Sequence, residues 1–168
     1  MADAPAPPIE IGLTAAIVAV EADEPYILVA AHAKGDSKDR AGLPFGTFDP
    51  LAHRTFEIGL RAWVSAQTAI NVGYVEQLYT FGDRGRHAHP GDTGPHMISV
   101  GYLALTRISE NAAALRAAGA GFEPWYRFFP WEDWRGGRPD ILDDTIVPLL
   151  EHQRAIFQLG AQPRNGCG

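Results

Sequence analysis

Apolar positions in the first third of the chain fall in short runs broken by polar stretches that contain Gly or Pro. Residues 13–20 and 26–32 are apolar and β-branched, too short for helices, and turned at "EADEP", so a strand hairpin is the simplest joining. The polar "AKGDSKDRAG" then reads as a loop, and "LPFGTF" opens a Gly- and Pro-punctuated segment. The spacing changes after it. In "PLAHRTFEIGLRAWVSAQTAI", Phe56, Leu60, Trp63 or Val64, and Gln67 recur every three or four residues. That pattern predicts an amphipathic helix of about five turns, with Asp49 as N-cap and Pro50 at the first helical position.

Two longer strand patterns follow, 73–81 and 96–106, around a polar loop. "RISENAAALRAAGAGFEP" reads as loop or short helix, and "WYRFFPW" as one more strand. "RPDILDDTIVPLLEHQRAIFQLG" predicts a second helix with Ile141, Ile146, Leu149, Leu150, Ile156 and Phe157 on its buried side and Pro148 placed to kink it. Strands, one long helix, strands and a closing helix predict a layered α/β sandwich around a mixed sheet, not a run of βαβ units. Residues 1–12 read as a disordered lead, 13–138 as one domain, 139–159 as its C-terminal helix and 160–168 as a flexible tail.

Composition narrows the class. At 168 residues the chain can bury about two-thirds of its unfolded surface, and no apolar run approaches the roughly 18 to 20 residues of a membrane span. Its one cysteine, Cys167, excludes an internal disulfide, and the N-terminus lacks a basic segment followed by an apolar one, so a cytoplasmic location is expected. The net charge of −6 argues against nucleic-acid binding by this chain alone, because neutralising phosphates takes a basic face.

Candidate chemistry concentrates in the loop "RGRHAHPGDTGPH" after Asp83, which offers Arg84, Arg86, His87, His89 and His96, with Asp92 among them. His-Ala-His can place two imidazoles on one side of an extended segment, as a metal would need, but no third ligand is fixed. Arg84 and Arg86 would suit a diphosphate as charge-assisted donors, with the glycines admitting close backbone approach. A solvated surface loop is the plain alternative. Trp125, Tyr126, Trp131 and Trp134 could stack on a ring or belong to a core or interface, and Arg135 and Arg138 could meet a phosphate or a carboxylate.

"LPFGTFDP", a long helix, "YVEQLYTFGD" and "HMISVGYLAL", in that order, resemble the Nudix fold. The resemblance is closer to the Nudix-related transcriptional regulators of NAD metabolism and their ADP-ribose pyrophosphatase relatives. Those proteins have a strand ending in Leu-Tyr-Thr-Phe-Gly-Asp, then a loop, then a strand of the type Val-Ile-Ser-Val-Xaa-Tyr-Leu-Ala-Leu. Residues 76–83 and 97–105 carry that pattern, and the likeness covers roughly 13–138. It implies a Nudix-like α/β/α sandwich, a dimer, an ADP-ribose-like nucleotide ligand and an inherited tight backbone path at Gly46.

One part departs from the pattern. A working Nudix box carries Arg-Glu-Xaa-Xaa-Glu-Glu on its helix, because pyrophosphate cleavage uses several carboxylates to hold magnesium and activate water. Aligning "TAI" with the closing Thr-Gly-Leu puts Ala62 and Trp63, then Ala66 and Gln67, at those positions; anchoring on Gly46 puts Leu60, Arg61, Val64 and Ser65 there. Glu57 is the one acid within the helix, and its spacing to Arg61 suits a solvent-facing i,i+4 pair.

The expectation is therefore a sensor domain without metal or other cofactor, its ligand contacts drawn from Asp83, Arg84, Arg86, His87, His89, Gly46 and Arg138. A hydrolase with non-standard ligands from Asp83, Asp92, Glu57 and the His loop is the alternative, and a non-binding interaction module is a third. In the regulators it resembles a winged-helix domain follows; this chain stops about thirty residues after "FFPWEDW", so DNA binding by it alone is not expected.

Overall fold

The computed structural model of the protein describes residues 8–31, 41–83, 94–108 and 112–160. It divides into two compact units after Pro124, earlier than the boundary at 138 read from the sequence.

The first unit is built on a mixed sheet of seven strands centred on β1 (Ile9–Glu21). In β1, Leu13, Ala15, Ile17 and Ala19 are buried and alternate with half-buried Thr14, Ala16 and Val18, so one face carries the core. The strand begins at Ile9 and so takes in residues 9–12 of the expected lead. It joins β2 (Glu24–Ala31) through Ala22 and Asp23, at φ 49° and 62°. Two left-handed residues between Glu21 and Glu24 match the twist of an antiparallel hairpin, so the joining at "EADEP" is as expected.

Beyond β2, β3 (Ala41–Gly42) pairs with its end, β4 (Phe45–Thr47) with Gly12, Leu13 and Thr14 of β1, and β7 (Ala120–Pro124) with β2. On the other side of β1, β6 (His96–Thr106) runs parallel to it from Ile9↔His96 to Ala19↔Thr106, and β5 (Val75–Phe81) pairs antiparallel with β6. The α/β class with a mixed sheet is the one expected.

Helix α1 (Phe56–Thr68) packs Leu60 and Val64, each 1% exposed, against Leu13, Ile17, Leu28, Val100 and Tyr102 of the sheet. Burying each large apolar side chain contributes about 1.5–3 kcal/mol. The helix is thirteen residues long, and its N-cap is Thr55, whose hydroxyl accepts the Ile58 N–H at 3.2 Å, not Asp49. Asp49 instead accepts the Leu51 N–H on Oδ1 and the His53 N–H on its carbonyl, both at 2.8 Å. Asp forms caps and Asx turns with the same short-range hydrogen bond, and here Asp49-Pro50 makes the turn.

The alanine-rich piece contains α2 (Ala112–Ala117), which ends at Gly119 (φ 71°), and then β7. "WYRFFPW" is not a strand. It holds α3 (Trp125–Phe128) and a 3-10 turn (Pro130–Glu132), because Pro124 closes β7 and Pro130 cannot donate to a ladder.

The second unit continues into a π turn (Leu142–Ile146) and α4 (Val147–Gly160). The disturbance expected at Pro148 takes the form of that π turn. A proline ring clashes with the carbonyl four residues back, and here the Val147 N–H bonds five back, to Leu142. Of the six residues expected on the buried side of this helix, Ile141 and Ile146 are half-buried, and Leu149, Leu150, Ile156 and Phe157 are 51–80% exposed. No described helix is long and apolar enough to cross a membrane.

Candidate functional site

A short way round its surface from the core side, α1 presents Trp63 and Gln67 to β4. The Trp63 indole N–H donates to the Thr47 carbonyl at 3.0 Å. Gln67 uses both ends of its amide on one residue: Nε2 donates to the Phe45 carbonyl at 2.6 Å, and Oε1 accepts the Phe45 N–H at 3.2 Å. That amide stands in for a neighbouring strand and satisfies both polar groups of Phe45. Gly46 lies between them, buried under the indole: a Cβ at Gly46 would stand 2.1 Å from the Trp63 ring. The tight path expected there is a glycine-on-indole contact.

Glu57 and Arg61 form the expected pair, at 2.8 Å. The same guanidinium also donates to the carbonyls of Val72 (2.5 Å) and Gly73 (2.7 Å), which anchors the link between α1 and β5. On β6, the Tyr102 hydroxyl donates to Gln77 Oε1 at 3.2 Å. Burial first, and the Glu57 charge second, push its pKa above the ordinary tyrosine value. At the helix end Ala69 sits at φ 56°, ψ 20°, with its N–H on the Ser65 carbonyl. That is a left-handed cap position, where glycine is the favoured residue.

The polar loop leaves the sheet just beyond Phe81. Asp83 is exposed there, while Arg84, Arg86, His87, His89 and Asp92 lie outside the described residues. Phe81, Ser99, Gly12 and Thr47 are in register across β5, β6, β1 and β4. With strands about 4.8 Å apart, the margins near Gly46 and Asp83 are separated by roughly 14 Å, too far for one ion to bridge.

A register shift between Gln77 and Thr80 puts Phe81 on the face that carries Gly12 and Ser99, away from Val100 and the core. Tyr79 packs edge-on against Phe81 at 4.8 Å, and the Thr14 and Ser99 hydroxyls lie 3.4 Å apart on that face. Sequence reasoning missed this group. The alternation of aromatics in "LYTF" was visible, but the bulge that sets their face is a property of the pairing.

In the second unit the arginines meet carboxylates. Arg138 forms a two-pronged pair with Asp143 (2.9 Å each), and Arg135 one with Asp133 (2.8 Å each). Hydrogen bonds from Arg135 and Arg138 hold the Asp133 and Asp143 carboxyls below the usual carboxylate range. The aromatics pack on one another and on arginine: Trp125 on Phe129, Phe129 on Trp131, and Arg135 over Tyr126 at 4.5 Å. Among the described residues no group of three or more His, Cys, Asp or Glu is gathered closely enough to hold a metal ion.

No protein-family model matches the sequence, and no curated protein matches it. Solved structures do. The NUDIX domain of Shewanella oneidensis NrtR, crystallised with ADP ribose, is 19% identical with a TM-score of 0.58, over 88% of this chain and 87% of that one. The C. elegans Ap4A hydrolase is 11% identical with a TM-score of 0.52, over 89% and 98%. The chain has the Nudix fold. NrtR as a longer chain gives 20% identity and a TM-score of 0.56 over 71% of this chain, which spans only about half (53%) of NrtR's length. At these identities the likeness carries the fold alone.

On a Nudix fold, the two readings of the box can be weighed physically. Left-handed Ala69 stands where the glycine of the closing Thr-Gly-Leu falls, which favours the alignment with Trp63 and Gln67 at acid positions. Both side chains aim N–H donors at β4 carbonyls. Carboxylates there would face the same oxygens and gather negative charge for a cation; an indole and an amide satisfy those carbonyls themselves.

Proposed function

We propose that this chain is a Nudix-fold sensor domain that binds ADP-ribose or a related NAD-pathway nucleotide without hydrolysing it, in the cytoplasmic regulation of NAD metabolism. The observation that carries this reading is the use of Trp63 and Gln67, at acid positions of the box, as hydrogen-bond donors to β4. Glu57, the one acid of α1, is engaged by Arg61. The NrtR NUDIX domain crystallised with ADP ribose supports the ligand class.

Of the residues proposed from sequence, Gly46 lies under the indole and Arg138 is engaged by Asp143. Recognition therefore falls to Asp83, Arg84, Arg86, His87 and His89. The domain works as a homodimer and leaves duplex DNA to other chains or segments, since its net charge is −6.

The test is a nucleotide panel with and without magnesium, read by thermal shift and by product release. ADP-ribose raises the melting temperature in both conditions, no AMP accumulates, and Arg84→Ala or Arg86→Ala weakens binding by about 1.5–3 kcal/mol. Magnesium-dependent AMP release that disappears in Glu57→Gln would establish the hydrolase with non-standard ligands instead.

A further inference from the structure

We propose that the bulge in β5 is a register switch for the polar loop that follows it: the bulge slides out of the strand, carries Tyr79 and Phe81 together to the other face of the sheet, and re-aims the chain at Asp83. The inference rests on the reading above in one respect, that the loop after Asp83 meets the nucleotide.

Val75, Glu76 and Gln77 pair with Ala104, Leu103 and Tyr102, whereas Thr80 and Phe81 pair with Val100 and Ser99, one residue out of step. Leu78 and Tyr79 therefore lie across from Gly101 alone. One extra residue of this kind re-aims every side chain beyond it. The sequence pattern asks for a different pairing. In "VEQLYTF", Val75, Gln77, Tyr79 and Phe81 occupy alternate positions, so an unbroken strand would put all four on the side of buried Val100 and Tyr102. The bulge sends the last two to the opposite side, where their rings meet edge-on at 4.8 Å. Pattern and pairing thus disagree at one place, beside the loop.

In the second register Leu78 pairs with Gly101, Tyr79 with Val100, Thr80 with Ser99 and Phe81 with Ile98. The partners suit it. Gly101 has no side chain to obstruct Leu78, Thr80 joins the hydroxyls of Ser99 and Thr14, and Phe81 comes beside half-buried Ile98, whose neighbour across β1 is half-buried Ile11. The pairs of Val75, Glu76 and Gln77 stay as they are, and so does the hydrogen bond from Tyr102 to Gln77. Among the described residues β5 pairs with β6 alone, so the change remakes a single ladder. The chain at Asp83 then moves by one residue's rise, about 3.4 Å, and turns over. A nucleotide held by the loop shifts the balance toward the register that presents it better.

The test is relaxation-dispersion NMR on the full chain. Amides 78–83 are expected to exchange on the μs–ms scale with a second state at about 1–10%, and cross-strand contacts of Phe81 with Ser99 or with Ile98 identify the two registers. ADP-ribose collapses the exchange onto one of them. A chain lacking Leu78 closes the ladder with Phe81 still across from Ser99, and Tyr79→Lys carries a charge that the second register would bury. Each is expected to abolish the exchange, and either alone decides if the other fails to fold. A single Phe81–Ser99 register with no exchange, exchange that persists in the variants, or exchange that bound ADP-ribose leaves unchanged overturns the switch. Exchange that the variants abolish, in a chain whose resonances ADP-ribose does not move, upholds the two registers and overturns the nucleotide reading instead.

Discussion

Helices α1 and α4 are thirteen and fourteen residues long, and both carry an apolar stripe at three-and-four spacing. In α1 the stripe is spent on the core, with Leu60 and Val64 at 1% exposure, and the flanking Arg61, Trp63 and Gln67 tie the helix to backbone carbonyls on either side. In α4 the second unit leaves the stripe uncovered, with Leu150 at 64% and Phe157 at 80% exposure. Periodicity shows that a helix has a side. It does not say what covers that side.

The largest effect expected from this contrast is in stability. Leu60→Ala should cost about 2–5 kcal/mol in denaturant unfolding, whereas Leu150→Ala should cost the dilute chain no more than about 0.5 kcal/mol. Comparable losses at the two sites would erase the distinction.

Next in size is Gly46→Ala. It drives a methyl into the Trp63 ring and should destabilise by about 1–3 kcal/mol, with a change in tryptophan fluorescence before unfolding. An unchanged midpoint would mean that the indole moves aside freely. Gln67→Ala unpairs both polar groups of Phe45 and should lower stability by about 1–2 kcal/mol, with faster amide exchange at Phe45 as the local readout. Ala69→Gly should act the other way, raising stability by about 0.5–1 kcal/mol by relieving the left-handed cap; a loss there would show that Ala69 is not strained.

The smallest effects divide the two units by pH. Asp133 and Asp143 titrate below 3.8, so their arginine pairs support the second unit above that value and are lost as pH falls through the lowered ones. Tyr102 titrates above 10, so its contribution to the first unit is whole below that value and is lost as pH rises through the raised one. Acid should therefore perturb the near-ultraviolet dichroism of the Trp125–Trp131 cluster first, and alkali the tyrosinate absorbance of the sheet.

Much of the first unit was legible. The bounds of β6 follow from alternating apolar residues, and the Glu57–Arg61 pair follows from spacing. Asp49-Pro50 misled because caps and turns share a signature, and "WYRFFPW" misled because aromatic strand preference depends on a half-buried neighbour that Pro124 ends. In the candidate site, the lack of acids at the box positions of α1 was plain from the sequence, but the hydrogen bonds from Trp63 and Gln67 to β4 depend on how the helix is rolled against the sheet. The loop residues Arg84, Arg86, His87 and His89 lie outside the described residues.

The parallel pairing of β1 with β6 has a temporal side. Ile9 finds its partner in His96, so the central strand can be completed only when synthesis has reached β6. At about 5–20 residues per second, synthesis leaves β1 waiting for roughly 4 to 17 s with one ladder unfilled, held meanwhile by its local hairpin with β2. Closing a loop of that length before any reward from its contacts makes the β1–β6 ladder the slow, late event of folding. It is during that interval on the ribosome that the apolar edge of β1 is open to wrong partners.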